Sequence, residues 1–315
     1  MNISNTHKAH LALLAVSFIY GVNYLIAKGI MPDKIGASAL VFIRITGAGS
    51  LFWMIKVFFY ERVERKDMGR LMLCGLLGAA ANQLLFFNGL SLTSPIDASI
   101  IMTATPVFVL IISAILLKET ITFQKIAGLL VGALGAILLI YAGVASKGTG
   151  TLLGNSLVLM NSLAFSFYLV IVKPLMKKYK PITVLSWVFF FGFVFMVPFA
   201  IKQFIETDFA GFTTGTVLVI FFVVMGPTFL AYLFNIYASK HLLPSVSGSY
   251  IYLQPAISFI VVSIYSFWLH VDTYKDDISL LKIACCVLVI MGVYLISSKP
   301  LPMFKQRMAE KKITI

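Results

Sequence analysis

The chain has 315 residues, 60% of them apolar and 12% charged, with a mean hydropathy of +0.96 and a formal net charge of +13. A soluble domain is nearer half apolar and a quarter charged, so the composition excludes an ordinary water-soluble enzyme and points to lipid as the solvent. The positive charge does not indicate nucleic acid, because the Lys and Arg residues sit mainly between apolar blocks, with no basic face interleaved with aromatics.

A hydrocarbon core of roughly 30 Å takes about 20 helical residues. Windows of that size fall at 10–30, 36–59, 70–91, 95–117, 123–144, 152–173, 181–201, 214–238, 244–268 and 279–298. Backbone amides in lipid must be satisfied within their own segment, so each window predicts a helix. The fold class is therefore an all-α polytopic membrane protein of ten spans. The first block holds Ser17, Tyr20 and Asn23 and has no small-x-small site before the next charge, so it reads as a retained span rather than a cleaved signal.

On span one, Ser17, Tyr20, Asn23 and Tyr24 share a face at i, i+3, i+4 spacing. Arg44 lies about eight residues into span two, roughly 12 Å down its helix. It either snorkels to the headgroups or holds an anionic group of a substrate or a carbonyl. Span three adds Asn82, Gln83 and Phe86, span six Asn161 and Tyr168, span eight Tyr232 and Asn235, and span nine Tyr250 and Gln254. An unpaired amide in hydrocarbon costs several kcal/mol, so these side chains are expected to face inward and line a cavity.

Spans four and nine begin with Pro95 and Pro244 and carry Pro106 and Pro255 near mid-membrane. The latter pair predicts helix kinks that free the carbonyls of Met102 and Ile251. Cys74, Cys285 and Cys286 lie in apolar stretches without ligand spacing and read as small buried hydrophobes, so neither a metal nor a cofactor is expected. The acids fall in loops or near span ends, and only Asp97 and Glu119 edge into a span, so a proton relay lacks an embedded carboxylate. Lys28 and Lys173, at span ends, read as interfacial anchors.

The two halves resemble each other. Pro95 and Pro106 match Pro244 and Pro255 at an offset of 149, and at the same offset Gln83 and Phe86 fall on Tyr232 and Asn235. Five spans per half is an odd number, so the second half enters the membrane from the opposite side, an inverted repeat with its site expected between the halves. The domains are expected at 1–145 and 146–298, each with five helices, followed by a basic tail at 299–315. The side with the amino terminus holds Lys8, Lys56, Arg62, Arg65, Lys66, Arg70, Lys118, Lys125, Lys173, Lys177, Lys178, Lys180, Lys240 and the tail's cations, against Lys28, Lys34, Lys147, Lys202, Lys275 and Lys282 opposite. The positive-inside rule then makes both termini cytoplasmic in an inner or plasma membrane.

Tyr20-Gly21-Val22-Asn23-Tyr24 with Lys28, Arg44 in Phe42-Ile43-Arg44, Ala98 to Pro106 followed by Lys118-Glu119, and the doubled five-span pattern resemble the drug/metabolite transporter superfamily, EamA type. Two departures stand out: Tyr20 occupies a position where the family often has Trp, and Trp268 to Asp272 replace a second-half counterpart of Glu119. The resemblance implies a secondary transporter working by alternating access, an exporter or exchanger. A cavity of aromatics, amides and hydroxyls suits small amphipathic metabolites such as amino acids or aromatic compounds. The two halves are expected to rock about it, with Gly128, Gly132, Gly135 and Gly292 allowing close helix approach within a homodimer or between the halves of a monomer. The alternatives are a membrane-embedded enzyme acting on a lipid or lipid-linked substrate, for which no catalytic cluster is visible, and a channel, for which no filter repeat is visible.

Overall fold

Polar caps and prolines set where the helices begin. Ser4 Oγ accepts the His7 amide at 3.3 Å, so span one starts before its apolar block and runs Asn5–Lys28. Thr151 and Thr213 cap spans six and eight, Leu152–Ile171 and Thr214–His241, by accepting the amides of Gly154 and Thr216. Span seven, Pro181–Ile205, opens on a proline, whose missing amide costs nothing at a helix start. The remaining spans are two, Ala37–Val57; three, Arg65–Leu92; five, Phe123–Gly143; and ten, Leu280–Ser297. Span four includes Thr105–Leu117, and span nine begins with Pro244–Ser249 and continues through the 3-10 turn Tyr250–Tyr252. These come from a computed structural model that describes residues 4–59, 61–93, 98, 101–143, 151–254, 256–257, 260 and 280–297. The basic tail, Pro95, Asp97 and Pro255, and the side chains of Tyr24, Lys28, Cys285 and Cys286, lie outside the described residues.

Two spans contain a widened turn at matched places. Leu76–Ala80 of span three and Met225–Leu230 of span eight are π-helical, and their starts differ by the same 149 residues that separate the halves. Such segments leave backbone groups that neighbours must satisfy. Span four is broken as well. The turn at Thr103 and Ala104 precedes a new helix in which Pro106 stands in the first turn. The expected kink at Pro106 is therefore a break, for a physical reason: proline lacks the amide a continuous helix needs and suits a start.

The halves interleave. Span one packs chiefly on span eight, span six on spans three and four, span two on span seven, span four on span nine, and span five on span ten. Every one of these partnerships joins one half to the other: two with seven, four with nine and five with ten pair equivalent spans, and one with eight is the counterpart of six with three. Gly292 sits so close to span five that a Cβ there would lie 2.4 Å from the Gly132 amide nitrogen, so these glycines serve an interface inside the chain.

Aromatic packing fills the interior. Phe52 of span two stands 5.0 Å from Phe189 of span seven and 4.8 Å from Phe229 of span eight, centroid to centroid. Phe18, Leu130, Phe199, Leu218 and Phe221 are exposed on the outside, as a lipid-facing surface requires. At the amino-terminal side the loop before span three is tied to the loop after span six. Asp67 accepts hydrogen bonds from Lys178 Nζ at 2.9 Å and Tyr179 OH at 2.7 Å, and Tyr179 OH accepts the Glu64 amide at 3.2 Å.

Candidate functional site

A cavity of about 70 Å³ lies between spans one, two, three, four, six, eight and nine. It is lined by Tyr20, Asn23, Arg44, Asn82, Gln83, Phe86, Phe87, Met102, Asn161, Phe165, Tyr232, Ile251 and Gln254. Ligand clefts are roughly 300–1,000 Å³, so this space is smaller than a typical one.

Its polar groups fall into two sets. One set is a continuous chain across helices. Asn82 Nδ2 donates to Asn161 Oδ1 at 2.7 Å, and Asn161 Nδ2 points to Met102 Sδ at 3.2 Å. Tyr232 OH donates to the Gly78 carbonyl at 2.7 Å and lies 3.0 Å from Asn82 Oδ1. Gly78 is within the π segment of span three, so a hydroxyl from span eight bonds a carbonyl of the widened turn. Interhelical hydrogen bonds of this kind contribute about 0.6 to 2 kcal/mol each.

The other set is built around Arg44. Pro227 has no amide to give the Val223 carbonyl, and Thr228 Oγ1 donates to that carbonyl at 2.7 Å. The same oxygen accepts Arg44 Nε at 2.9 Å, and the guanidinium lies over the Phe87 ring at 4.2 Å from its centroid. Arg44 is 3% exposed, so it does not snorkel to the headgroups. Arg44 Nη1, Asn23 Oδ1 and both polar atoms of the Gln83 amide, which belongs to neither set, are buried with no hydrogen-bond partner among the described residues.

A narrower extension runs toward the amino-terminal side, lined by Leu13, Ser17, Leu169, Asn235, Ser247 and Tyr250 and sharing Tyr20, Phe165, Ile251 and Gln254 with the main cavity. Span one closes against span nine there: Ser17 Oγ donates to the Tyr250 carbonyl at 2.9 Å, and His10 Nδ1 and Tyr250 OH are 2.7 Å apart. Further out, Lys173 Nζ donates to the carbonyls of Ser239 and Leu242 at the end of span eight. Lys173 thus neutralises a helix C-terminus instead of anchoring at the lipid surface, the better option for an ammonium within reach of unpaired carbonyls. Glu119, turned inward by the left-handed backbone at Lys118 (φ 53°), takes Lys125 at 2.7 Å and Ser245 Oγ at the start of span nine.

Of the residues expected at the site, Tyr20, Asn23, Arg44, Asn82, Gln83, Phe86, Asn161, Tyr232 and Gln254 meet around the cavity, and Asn235 and Tyr250 meet around its extension. Tyr168 lines neither. It is buried behind the wall, where a Cβ at Gly78 would stand 2.3 Å from its ring, because a glycine in the π segment leaves an aromatic-sized gap there. Phe87, Met102, Phe165, Ile251 and Thr228 are additions. The apolar four carry no mark that sets them apart in an apolar sequence. Thr228 does: it follows a mid-span proline whose orphaned carbonyl needs a local hydroxyl.

A helical bundle of membrane spans around a small, largely apolar cavity with a few amides and one arginine fits the class of polytopic transport proteins. The EamA-like transporter family model matches residues 7–141 and 152–298, so the chain belongs to that family. An uncharacterized transporter of Archaeoglobus fulgidus is 26% identical over 261 residues, 83% of this chain and 88% of that one. A protein of Streptantibioticus cattleyicolor named a probable terminal-alkyne amino-acid exporter is 26% identical over 207 residues, 65% of this chain and 67% of its own. One protein of known crystal structure aligns with a TM-score of 0.72 over 92% of this chain and 97% of its own at 16% identity, a likeness of fold.

Proposed function

We propose that the chain is a secondary carrier that passes small amphipathic metabolites through the central cavity by alternating access. The observation that carries this reading is Arg44: a buried, permanently charged group on the cavity wall, held by one hydrogen bond and an aromatic face, with donors left over. A charge kept inside a membrane bundle without an ionic partner marks a solute pathway by default. The amino-acid exporter among the relatives supports outward transport of an amino acid or a compound of that size. The transporter names of the relatives favour a carrier over a membrane-embedded enzyme.

The amino-terminal side is the cytoplasmic one by the distribution of Lys and Arg. In that frame the contacts of Lys173 with span eight and of Glu119 with Ser245 close the cytoplasmic end. Interleaving makes it costly for one sequence half to rock against the other, since that motion would shear spans one from eight and three from six. The bodies that fit the packing are composite: spans one, eight and nine against spans three, four and six.

The test is uptake into proteoliposomes with a panel of metabolites. Arg44→Ala should cut flux at least tenfold while the protein still reaches the membrane and elutes as one species. Unchanged flux would remove the cavity from the transport path.

A further inference from the structure

Charge at the cavity selects among the solutes that would fit it. Arg44 is cationic at any physiological pH. Among the described residues no Asp or Glu lines the cavity or its extension, and none forms an ion pair with Arg44. The nearby amides do not supply negative charge. Asn82 and Asn161 are bonded to each other, and the Tyr232 hydroxyl is committed to Gly78. Among the described residues the empty site therefore carries a positive charge with no acidic partner in a low-dielectric interior, with Arg44 Nη1 buried and unpartnered. A solute of net charge −1 neutralises it, a zwitterion leaves the site as positive as before, and a cation adds like charge. Phe86, Phe87 and Phe165 surround the same space, so most of the rest of the solute is apolar or aromatic, while Asn23 Oδ1 and the Gln83 amide, buried without hydrogen-bond partners, are open to a hydroxyl.

We propose that the solute is a small organic monocarboxylate with an aromatic or branched apolar remainder and no compensating amine, carried as the anion with net movement of charge. The inference rests on the carrier reading. The carboxylate meets the free edge of the Arg44 guanidinium, the ring packs against the cavity aromatics, and the loaded site crosses neutral while the empty site returns positive. Each cycle then moves one negative charge with the solute. An inside-negative potential of about 100 mV favours the exit of such an anion by roughly 50-fold at equilibrium, which would make the cell's own potential sufficient for export without a proton-binding carboxylate.

Three probes of one size separate charge from shape: phenylacetate (−1), phenylalanine (zwitterion) and phenethylamine (+1), each radiolabelled and loaded into proteoliposomes of the full chain, with protein-free vesicles subtracted. Valinomycin and a potassium gradient set the potential. Phenylacetate should leave at least tenfold faster than phenethylamine and faster than phenylalanine, speed up when the interior is negative, slow when the sign is reversed, and compete with unlabelled benzoate but not with chloride. Arg44→Gln should abolish the preference for the anion and Arg44→Lys should keep it in part. Equal or faster phenylalanine or phenethylamine flux, insensitivity to potential, or block by chloride at the same concentration as benzoate would overturn the inference and leave the carrier reading standing. Absence of flux for all three probes would also overturn it, and the carrier reading would fall with it only if the wider metabolite panel were silent too. The wild-type comparison needs no variant, so a misfolded Arg44 substitution leaves the outcome decided.

Discussion

Thr228 is the residue on which the polar half of the site turns, since one hydroxyl both satisfies the carbonyl orphaned by Pro227 and accepts Arg44 Nε. Thr228→Val keeps the shape and removes both bonds. Leaving a buried carbonyl and part of a guanidinium unsatisfied costs about 1–3 kcal/mol for each group, so the variant should melt several degrees lower in detergent and lose most of its flux. Thr228→Ser should restore both. A valine variant as stable and active as wild type would mean that Arg44 is positioned by something else. Much of this residue-scale site is legible in the sequence, because amides and an arginine in mid-span have nowhere to go but inward. What is illegible is which of them remain unpaired: Asn82 and Asn161 lie on different spans, and nothing in the order of residues says that they meet.

At the scale of the elements, span boundaries follow from caps and apolar length, and they are legible to within a few residues, as Thr151 and Thr213 show. The widened turns are less so. Pro227 announces the one in span eight, whereas span three has only Gly78 at the matching place, and a glycine in an apolar helix is an ambiguous mark. The interface of spans five and ten makes a stability prediction. Gly292→Val must push Gly132 backbone away, and overpacking of this kind costs about 1–3 kcal/mol or more. The matched control is Gly69→Ala, where a Cβ would have nothing within 4 Å. Melting in detergent should fall clearly for the first and hold or rise for the second; similar curves would show that spans five and ten are not in contact in the folded protein.

For the whole molecule, the offsets between halves are legible because proline and polar positions repeat, but the partner of each helix is not, since it depends on contacts between residues far apart in the chain. Interleaving ties the two sequence halves into one bundle, and the seal at the amino-terminal side falls between the composite bodies. A cross-link there should lock the carrier. With the native cysteines replaced, Glu119→Cys and Ser245→Cys, whose parent side chains are in contact, should form a bridge that stops flux and releases it on reduction. Persistent flux in the fully bridged protein would show that this end does not open.

In a carrier of this kind, solute passes through the cavity one molecule at a time as access alternates. Counterflow measures that directly: proteoliposomes preloaded with an unlabelled solute from the panel are diluted into a trace of the same labelled solute. A carrier accumulates label transiently above its outside concentration and saturates with rising solute. Label that only equilibrates, at a rate linear in concentration, would contradict the account.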